Sequence, residues 1–235
     1  MAFDDLELPE RLAITRRGTA LFAQGLATLT DEQLDAPTLL TGWSRRHLVA
    51  HVGYNAAAIC RLLDWAATGV ETPMYPSAQH RAEEIGAGAT LSPGVLRNLF
   101  DDTVARLDEK WRSLPDAAWG ATVRTAQGRS VPATETVWMR AREVWIHAVD
   151  LDNGAGFADF PESVLDGLMA DIAGGWRNAD PTPGIVLLAD GRAPVTLGSG
   201  GPTVAGPLPA VVRWMAGRGA AGLHADPGIA PPRWL

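Results

Sequence analysis

The chain has 235 residues, enough for one large domain or two smaller ones, and its 46% hydrophobic and 20% charged residues are typical of a globular protein. A net charge of −7 argues against a non-specific nucleic-acid binder, which would carry a basic surface. No stretch approaches the ~20 apolar residues of a membrane-spanning helix, and no apolar signal segment stands at the start. Because Cys60 is the only cysteine, no internal disulfide is possible, and we expect a cytoplasmic protein.

The first two thirds of the chain have the pattern of a helical bundle. Apolar residues at three- and four-residue spacing predict four long helices, over residues 9–29, 44–65, 93–114 and 132–151. Ser44 and the pair Ser92-Pro93 have the residue types that begin helices, and Gly69 is a stop signal. Four such helices predict a four-helix bundle, a fold in which metal sites are built from facing helices.

The segment between the second and third helices, residues 69–91, is predicted to be a long loop. It contains Thr72-Pro73-Met74-Tyr75-Pro76, followed by His80 and Arg81. Ordered loops of this length are uncommon and often form lids or binding loops.

The pattern changes after Gly154-Ala155-Gly156. A helix is predicted over residues 161–176. Short apolar runs separated by turn residues follow at 185–188, 194–197 and 203–205, and a last helix is predicted over 208–216. The sequence therefore predicts an α+β protein with two domains, a helical bundle over residues 1–154 and a small α+β domain over residues 155–235.

Glu143 and His147 lie four residues apart in the fourth predicted helix, so both side chains point to one face. Taken alone, the pair is more typical of a solvated glutamate and a hydrogen-bonded core histidine than of a metal site. The second helix carries His47 and His51, also four apart. One of them with Glu143 and His147 would leave tetrahedral zinc with an open position, as in catalytic sites, whereas both would close a structural shell. Asp150 could orient His147 through its second ring nitrogen, contact substrate, or end the helix in solvent.

Several sequence blocks resemble one family, the mycothiol-dependent maleylpyruvate isomerases, which share the DinB-like metal-binding bundle. The blocks are residues 42–51 (GWSRRHLVAH), 71–75 (ETPMY), 81–85 (RAEEI), 138–151 (WMRAREVWIHAVDL), 216–219 (AGRG) and 231–235 (PPRWL). They occur in order along nearly the whole chain. The fold implied by the resemblance is a DinB-like four-helix bundle followed by a sterol-carrier-like α+β domain.

The resemblance also implies a set of site residues. The metal, Zn²⁺ or another divalent ion, is expected on His51, Glu143 and His147, and His47 falls at a position that the family does not use. Functional roles are implied for Arg81, Asp150 and Arg218. Mycothiol and maleylpyruvate are the expected small-molecule partners, with no nucleic acid and no membrane, and we expect a monomer.

The family's reaction converts maleylpyruvate, a cis-alkene of gentisate breakdown, into its trans isomer fumarylpyruvate. Addition of a thiol turns the double bond into a single bond that can rotate, and elimination restores the alkene. A free thiol, with a pKa near ~8.5, is mostly protonated at pH 7, and coordination to zinc removes that proton. Two alternatives remain from the sequence: a mycothiol S-transferase acting on electrophiles, and a non-catalytic metal-dependent binding protein.

Overall fold

The structure, a computed structural model, describes residues 2–234, so Leu235 of the last sequence block lies outside the described residues. The chain forms two compact units. One spans residues 8–155, and the other joins residues 156–234 with residues 2–7. The sequence placed residues 2–7 with the bundle. They group with the second unit because a short 3-10 helix, Phe3–Asp5, packs on the first helix of that unit and buries Phe3 completely.

The first unit is built from five helices: α1 (Leu8–Thr28), α2 (Arg45–Thr68), α3 (Ala78–Ala89), α4 (Pro93–Ser113) and α5 (Glu135–Asp150). Helices α1, α2, α4 and α5 form the four-helix bundle that the sequence predicted. The main packing pairs are α1 with α5, α2 with α4, and α2 with α5. The helices bury apolar stripes against one another, and α2 and α5 are the most enclosed of them.

Helix α3 corrects the prediction that residues 69–91 are an irregular loop. Only residues 69–77 and 90–91 of that segment lie outside a helix. Ser77 caps α3 by accepting a hydrogen bond from the backbone N–H of His80 at 3.0 Å. Gly88 serves packing within this helix. A Cβ at Gly88 would lie 2.7 Å from atoms of both Ala50 and Tyr54 on α2, so the missing side chain allows the two helices to approach closely.

A small hairpin replaces the predicted beginning of the fourth helix. Strands β1 (Thr122–Arg124) and β2 (Ser130–Pro132) pair antiparallel, with Val123 opposite Val131. Gly128 has a φ of 83° in the connecting turn, a conformation that glycine adopts without strain. Pro132 therefore ends a strand, and α5 begins three residues later.

The second unit is the α+β part that the sequence predicted. It contains α6 (Glu162–Arg177), β3 (Ile185–Ala189), β4 (Val195–Leu197), β5 (Thr203–Gly206) and α7 (Leu208–Met215). The strand order is β4-β3-β5, with β4 antiparallel and β5 parallel to β3. Helices α6 and α7 pack together through Trp176 and Trp214, whose rings meet edge to face at 6.1 Å. None of the helices within residues 2–234 has the length and apolarity that crossing a membrane requires.

Candidate metal centre

The beginning of helix α2 determines which of its two histidines is free to bind a ligand. Ser44 precedes the helix, and its hydroxyl lies 2.8 Å from Nδ1 of His47. His47 is thereby engaged at the helix cap. His51, one turn further along, is buried with 4% of its surface exposed, and the ring of Trp43 meets its ring edge-on at 5.4 Å.

Helix α5 brings the other two predicted ligands to the same point. Oε2 of Glu143 lies 2.9 Å from Nε2 of His51 and 3.1 Å from Nε2 of His147. One donor atom from each of the three residues lies within 4.8 Å of the others, and no other His, Cys, Asp or Glu between residues 2 and 234 shares this cluster. Two imidazoles and one carboxylate are a donor set that a divalent ion accepts, with room for one further donor in a tetrahedral shell.

Asp150 holds His147 from the side opposite Glu143. Its Oδ2 lies 2.9 Å from Nδ1 of His147, and the carboxylate is completely buried. Burial by itself would lower the pKa of His147, but the hydrogen bonds to Asp150 and Glu143 outweigh it and raise the pKa to about 9. The Asp150 carboxylate fixes the direction of the ring and leaves Nε2 facing Glu143.

The remaining two members of the cluster respond differently to burial. For Glu143, burial favours the neutral acid, but the charges and hydrogen bonds of His51 and His147 hold the pKa well below its usual value. Burial is the largest influence on His51 and lowers its pKa, with Glu143 opposing the shift. The centre thus combines an ionised carboxylate with a neutral imidazole at His51, both in the form that a metal ion requires.

Arg81, from α3, reaches the same site. Its Nη2 lies 3.3 Å from Nδ1 of His51, the ring nitrogen turned away from Glu143. The guanidinium also lies over the ring of Tyr75, 5.8 Å from the centroid, and Arg61 lies over the same ring at 5.6 Å. Cation–π contacts of this kind limit where the Arg81 side chain can go.

Arg218 is placed in the second unit, after helix α7. Its guanidinium donates a hydrogen bond to the carbonyl of Ala216, and its own carbonyl accepts one from Nε of Arg213 at 2.7 Å. The glycines on both sides have φ values of 77° and 90°, so Arg218 stands at the tip of a turn. Its functional role stays a prediction.

Asn55 and Cys60 of α2 have partners other than the three clustered residues. Oδ1 of Asn55 accepts a hydrogen bond from Nη1 of Arg140 at 2.8 Å. Cys60 is buried, which raises the pKa of its thiol, and the opposing effect of Arg106 on α4 is smaller. A protonated thiol in that position is a poor nucleophile.

Sequence reasoning gave no individual role to Trp43 or Tyr75. Both lie in blocks that carried the family resemblance, GWS and ETPMY, and that was the only available signal. Periodicity could not assign them, because each lies outside a helix and contacts the site only after folding.

Two family models match the chain. The mycothiol maleylpyruvate isomerase N-terminal domain matches residues 15–152, and the C-terminal domain of the same family matches residues 159–232. The chain belongs to the mycothiol maleylpyruvate isomerase family. The predicted family and fold class are thereby confirmed.

Solved structures agree with the family models. A crystal structure of the mycothiol-dependent maleylpyruvate isomerase is 47% identical, with a TM-score of 0.95 over 100% of both chains. A mutant of that enzyme with one histidine changed to alanine is 46% identical over the same full lengths, again with a TM-score of 0.95. Among proteins with curated descriptions, none matches the chain significantly.

Proposed function

We propose that this chain catalyses the mycothiol-dependent conversion of maleylpyruvate into fumarylpyruvate. One observation supports the proposal most: the chain is 47% identical, over its full length, to an isomerase of that name. The cluster of His51, Glu143 and His147 also supports it, because the donor set that the family resemblance implied lies together at one point of the bundle.

The proposed metal is Zn²⁺, held by Nε2 of His51, Nε2 of His147 and a carboxylate oxygen of Glu143. The fit rests on chemistry within the chain: both nitrogens lie near 3 Å from the same carboxylate oxygen, and Asp150 fixes the second ring nitrogen of His147. A zinc ion there would lower the pKa of a coordinated thiol and supply a thiolate near neutral pH. Other divalent ions also accept two imidazoles and a carboxylate.

Arg81 is the proposed binding group for a substrate carboxylate or for the enolate oxygen that develops after addition. The present contact of Arg81 with Nδ1 of His51 supports this role, because metal binding would free the guanidinium from it. When Nε2 of a neutral histidine is a metal ligand, Nδ1 carries the ring proton and cannot accept a hydrogen bond. The contact at 3.3 Å between Arg81 and Nδ1 of His51 would then be lost, while Tyr75 keeps the guanidinium beside the centre. A guanidinium in that position can bind a carboxylate through two N–H groups.

Asp150 is proposed as a positioning residue. It acts through His147 and has no need to touch substrate. Arg218 is proposed to bind the second carboxylate or a carbonyl of the substrate, on the strength of the family resemblance alone.

The decisive experiment measures isomerisation of maleylpyruvate with and without mycothiol, on protein of known metal content. We expect turnover only with both thiol and metal. His51→Ala should lose metal and activity together, whereas the matched change His47→Ala should keep the metal, because His47 belongs to the helix cap. Full activity of metal-free His51→Ala protein would refute the proposal, and loss of metal in His47→Ala would favour a closed four-ligand shell. Turnover of simple electrophiles but not of maleylpyruvate would indicate an S-transferase.

A further inference from the structure

The guanidinium of Arg81 has one polar and one aromatic contact beside the metal centre. The polar contact, with Nδ1 of His51 at 3.3 Å, would be lost when His51 binds an ion, because Nδ1 then carries the ring proton. The aromatic contact remains, since the ring of Tyr75 lies 5.8 Å from Cζ of Arg81 and binds no ion. Whatever fixes the ring of Tyr75 therefore also helps to decide where Arg81 lies.

The segment that carries Tyr75, residues 70–76, has little backbone support. Within residues 2–234 it makes no backbone–backbone hydrogen bond. Glu71 pairs with Arg124 at 3.3 Å, but both side chains are more than half exposed, and such pairs contribute little. The segment must therefore be positioned by side chains that reach it from the helices.

Arg61 of α2 contacts this segment at two consecutive residues. Its Nε donates a hydrogen bond to the carbonyl of Met74 at 2.8 Å, and its Nη2 donates to the same oxygen. Its Cζ also lies over the ring of Tyr75, 5.6 Å from the centroid. One side chain thus holds the peptide group between Met74 and Tyr75 by charge-assisted hydrogen bonds and the following ring by a cation–π contact.

The local sequence makes this contact effective. Pro73 and Pro76 flank the pair Met74-Tyr75. A proline ring fixes its own φ, and the residue before a proline is restricted to extended conformations, so Tyr75 has little backbone freedom. Fixing the carbonyl of Met74 therefore also fixes the direction of the Tyr75 side chain.

We propose that Arg61 is a positioning residue for Arg81, acting through the carbonyl of Met74 and the ring of Tyr75. Arg61 and His51 are separated by about 15 Å along the axis of α2, so Arg61 acts at a distance from the proposed ion. Its effect on turnover rests on the proposed function, since that effect requires Arg81 to bind substrate. Its effect on the position of Arg81 does not.

The first measurement is the NMR signal of the Arg81 Nε–H group in ¹⁵N-labelled protein loaded with Zn²⁺, identified by its disappearance in Arg81→Ala protein. The ring current of Tyr75 should displace this signal from the frequency of a freely moving arginine. Arg61→Met keeps the aliphatic stem and removes the guanidinium, so we expect the displacement to be lost. Arg97→Met is the matched control, because Arg97 also donates to backbone carbonyls, at the end of α1 at 2.7 Å, and should leave the signal unchanged.

The second measurement is turnover of maleylpyruvate with mycothiol. Arg61→Met should lower kcat/KM about 10- to 100-fold, as expected when a binding group is displaced by roughly 1 Å. In protein that already carries Arg81→Ala, the same substitution should cost at most about twofold, because the group that Arg61 positions is gone. A purely structural role of Arg61 would instead give equal losses in both backgrounds.

The proposal is overturned by an undisplaced Arg81 signal in the original protein, by a signal that Arg61→Met leaves unchanged, or by equal losses of kcat/KM with Arg81 present and absent. If Arg61→Met does not fold, Arg61→Gln takes its place, since it keeps a donor near Met74 but has no cation for Tyr75, and the same outcomes decide. Absence of turnover in the original protein would count against the proposed function alone, and the NMR comparison would still decide whether Arg61 positions Arg81.

Discussion

Replacing Asp150 with asparagine should have two opposing effects on metal binding: it weakens the intrinsic affinity for the ion, and it relieves competition from the proton on His147. Asp150 raises the basicity of His147 and fixes its direction, so its loss weakens the intrinsic affinity for the ion. Removal of such a hydrogen-bonded carboxylate typically lowers metal affinity by about 10- to 100-fold. The same carboxylate, together with Glu143, raises the pKa of His147 to about 9, and the proton must leave before a metal ion can bind.

The two effects separate with pH. At pH 7 a histidine with a pKa of about 9 is protonated in the ion-free protein, and proton competition lowers the apparent affinity by about 100-fold, a factor of ten for each pH unit. Asparagine removes the contribution of Asp150, so it lowers that pKa and reduces this competition. We therefore expect Asp150→Asn to bind metal about 10- to 100-fold more weakly at pH 9 and above. Near pH 7 the difference in apparent metal affinity between the variant and the original protein should be smaller. The metal affinity of the variant should also depend less steeply on pH.

The assay is competition for the ion against a chelator of known pH dependence, between pH 6.5 and 9.5. Asp64→Asn is the matched control, because Asp64 pairs with Lys110 on the protein surface and should leave the curve unchanged. Circular dichroism confirms that each variant is folded. Parallel curves for Asp150→Asn and the original protein would refute the argument that Asp150 sets the basicity of His147, and equal affinity at pH 9 would refute its role in orienting the ring.

Three further predictions concern stability and turnover. In the ion-free protein the raised pKa of His147, about 9 against 6.5 for the free side chain, should stabilise the fold fully below pH 6.5. That stabilisation, up to about 3 kcal/mol, should disappear as the pH rises through 9. Urea unfolding across this pH range measures the free energy of unfolding, and a value that does not change with pH would contradict the prediction. Arg81→Lys should keep the metal but lower kcat/KM about 10²- to 10³-fold, because the lysine ammonium lacks the two parallel N–H groups that a guanidinium presents to a carboxylate. Unchanged steady-state kinetics would remove Arg81 from the site. Gly88→Ala should destabilise the protein by about 1–3 kcal/mol, seen as a lower Tm, since the new Cβ would lie 2.7 Å from Ala50 and Tyr54, whereas Gly86→Ala, where a Cβ meets nothing within 4 Å, should not.

The sequence by itself determined the helical bundle and the geometry along α5. Helical periodicity places Glu143, His147 and Asp150 on one face whatever the rest of the chain does, because positions three and four apart are neighbours on any α-helix. The alternation of apolar runs with turn residues likewise indicated the strands of the second unit before any packing was known.

Only the tertiary structure decided the contacts between distant segments. Helix α3 depends on the close approach of Gly88 to α2, which no local pattern in residues 69–91 reveals. His47 and His51 are equivalent by spacing, and it is the capping contact of His47 with Ser44 and the packing of α5 on α2 that leave His51 to face Glu143. The same holds for Nη2 of Arg140, whose burial without a partner arises from helices brought together by folding, because a sequence specifies which groups a chain carries but not which of them lose their water.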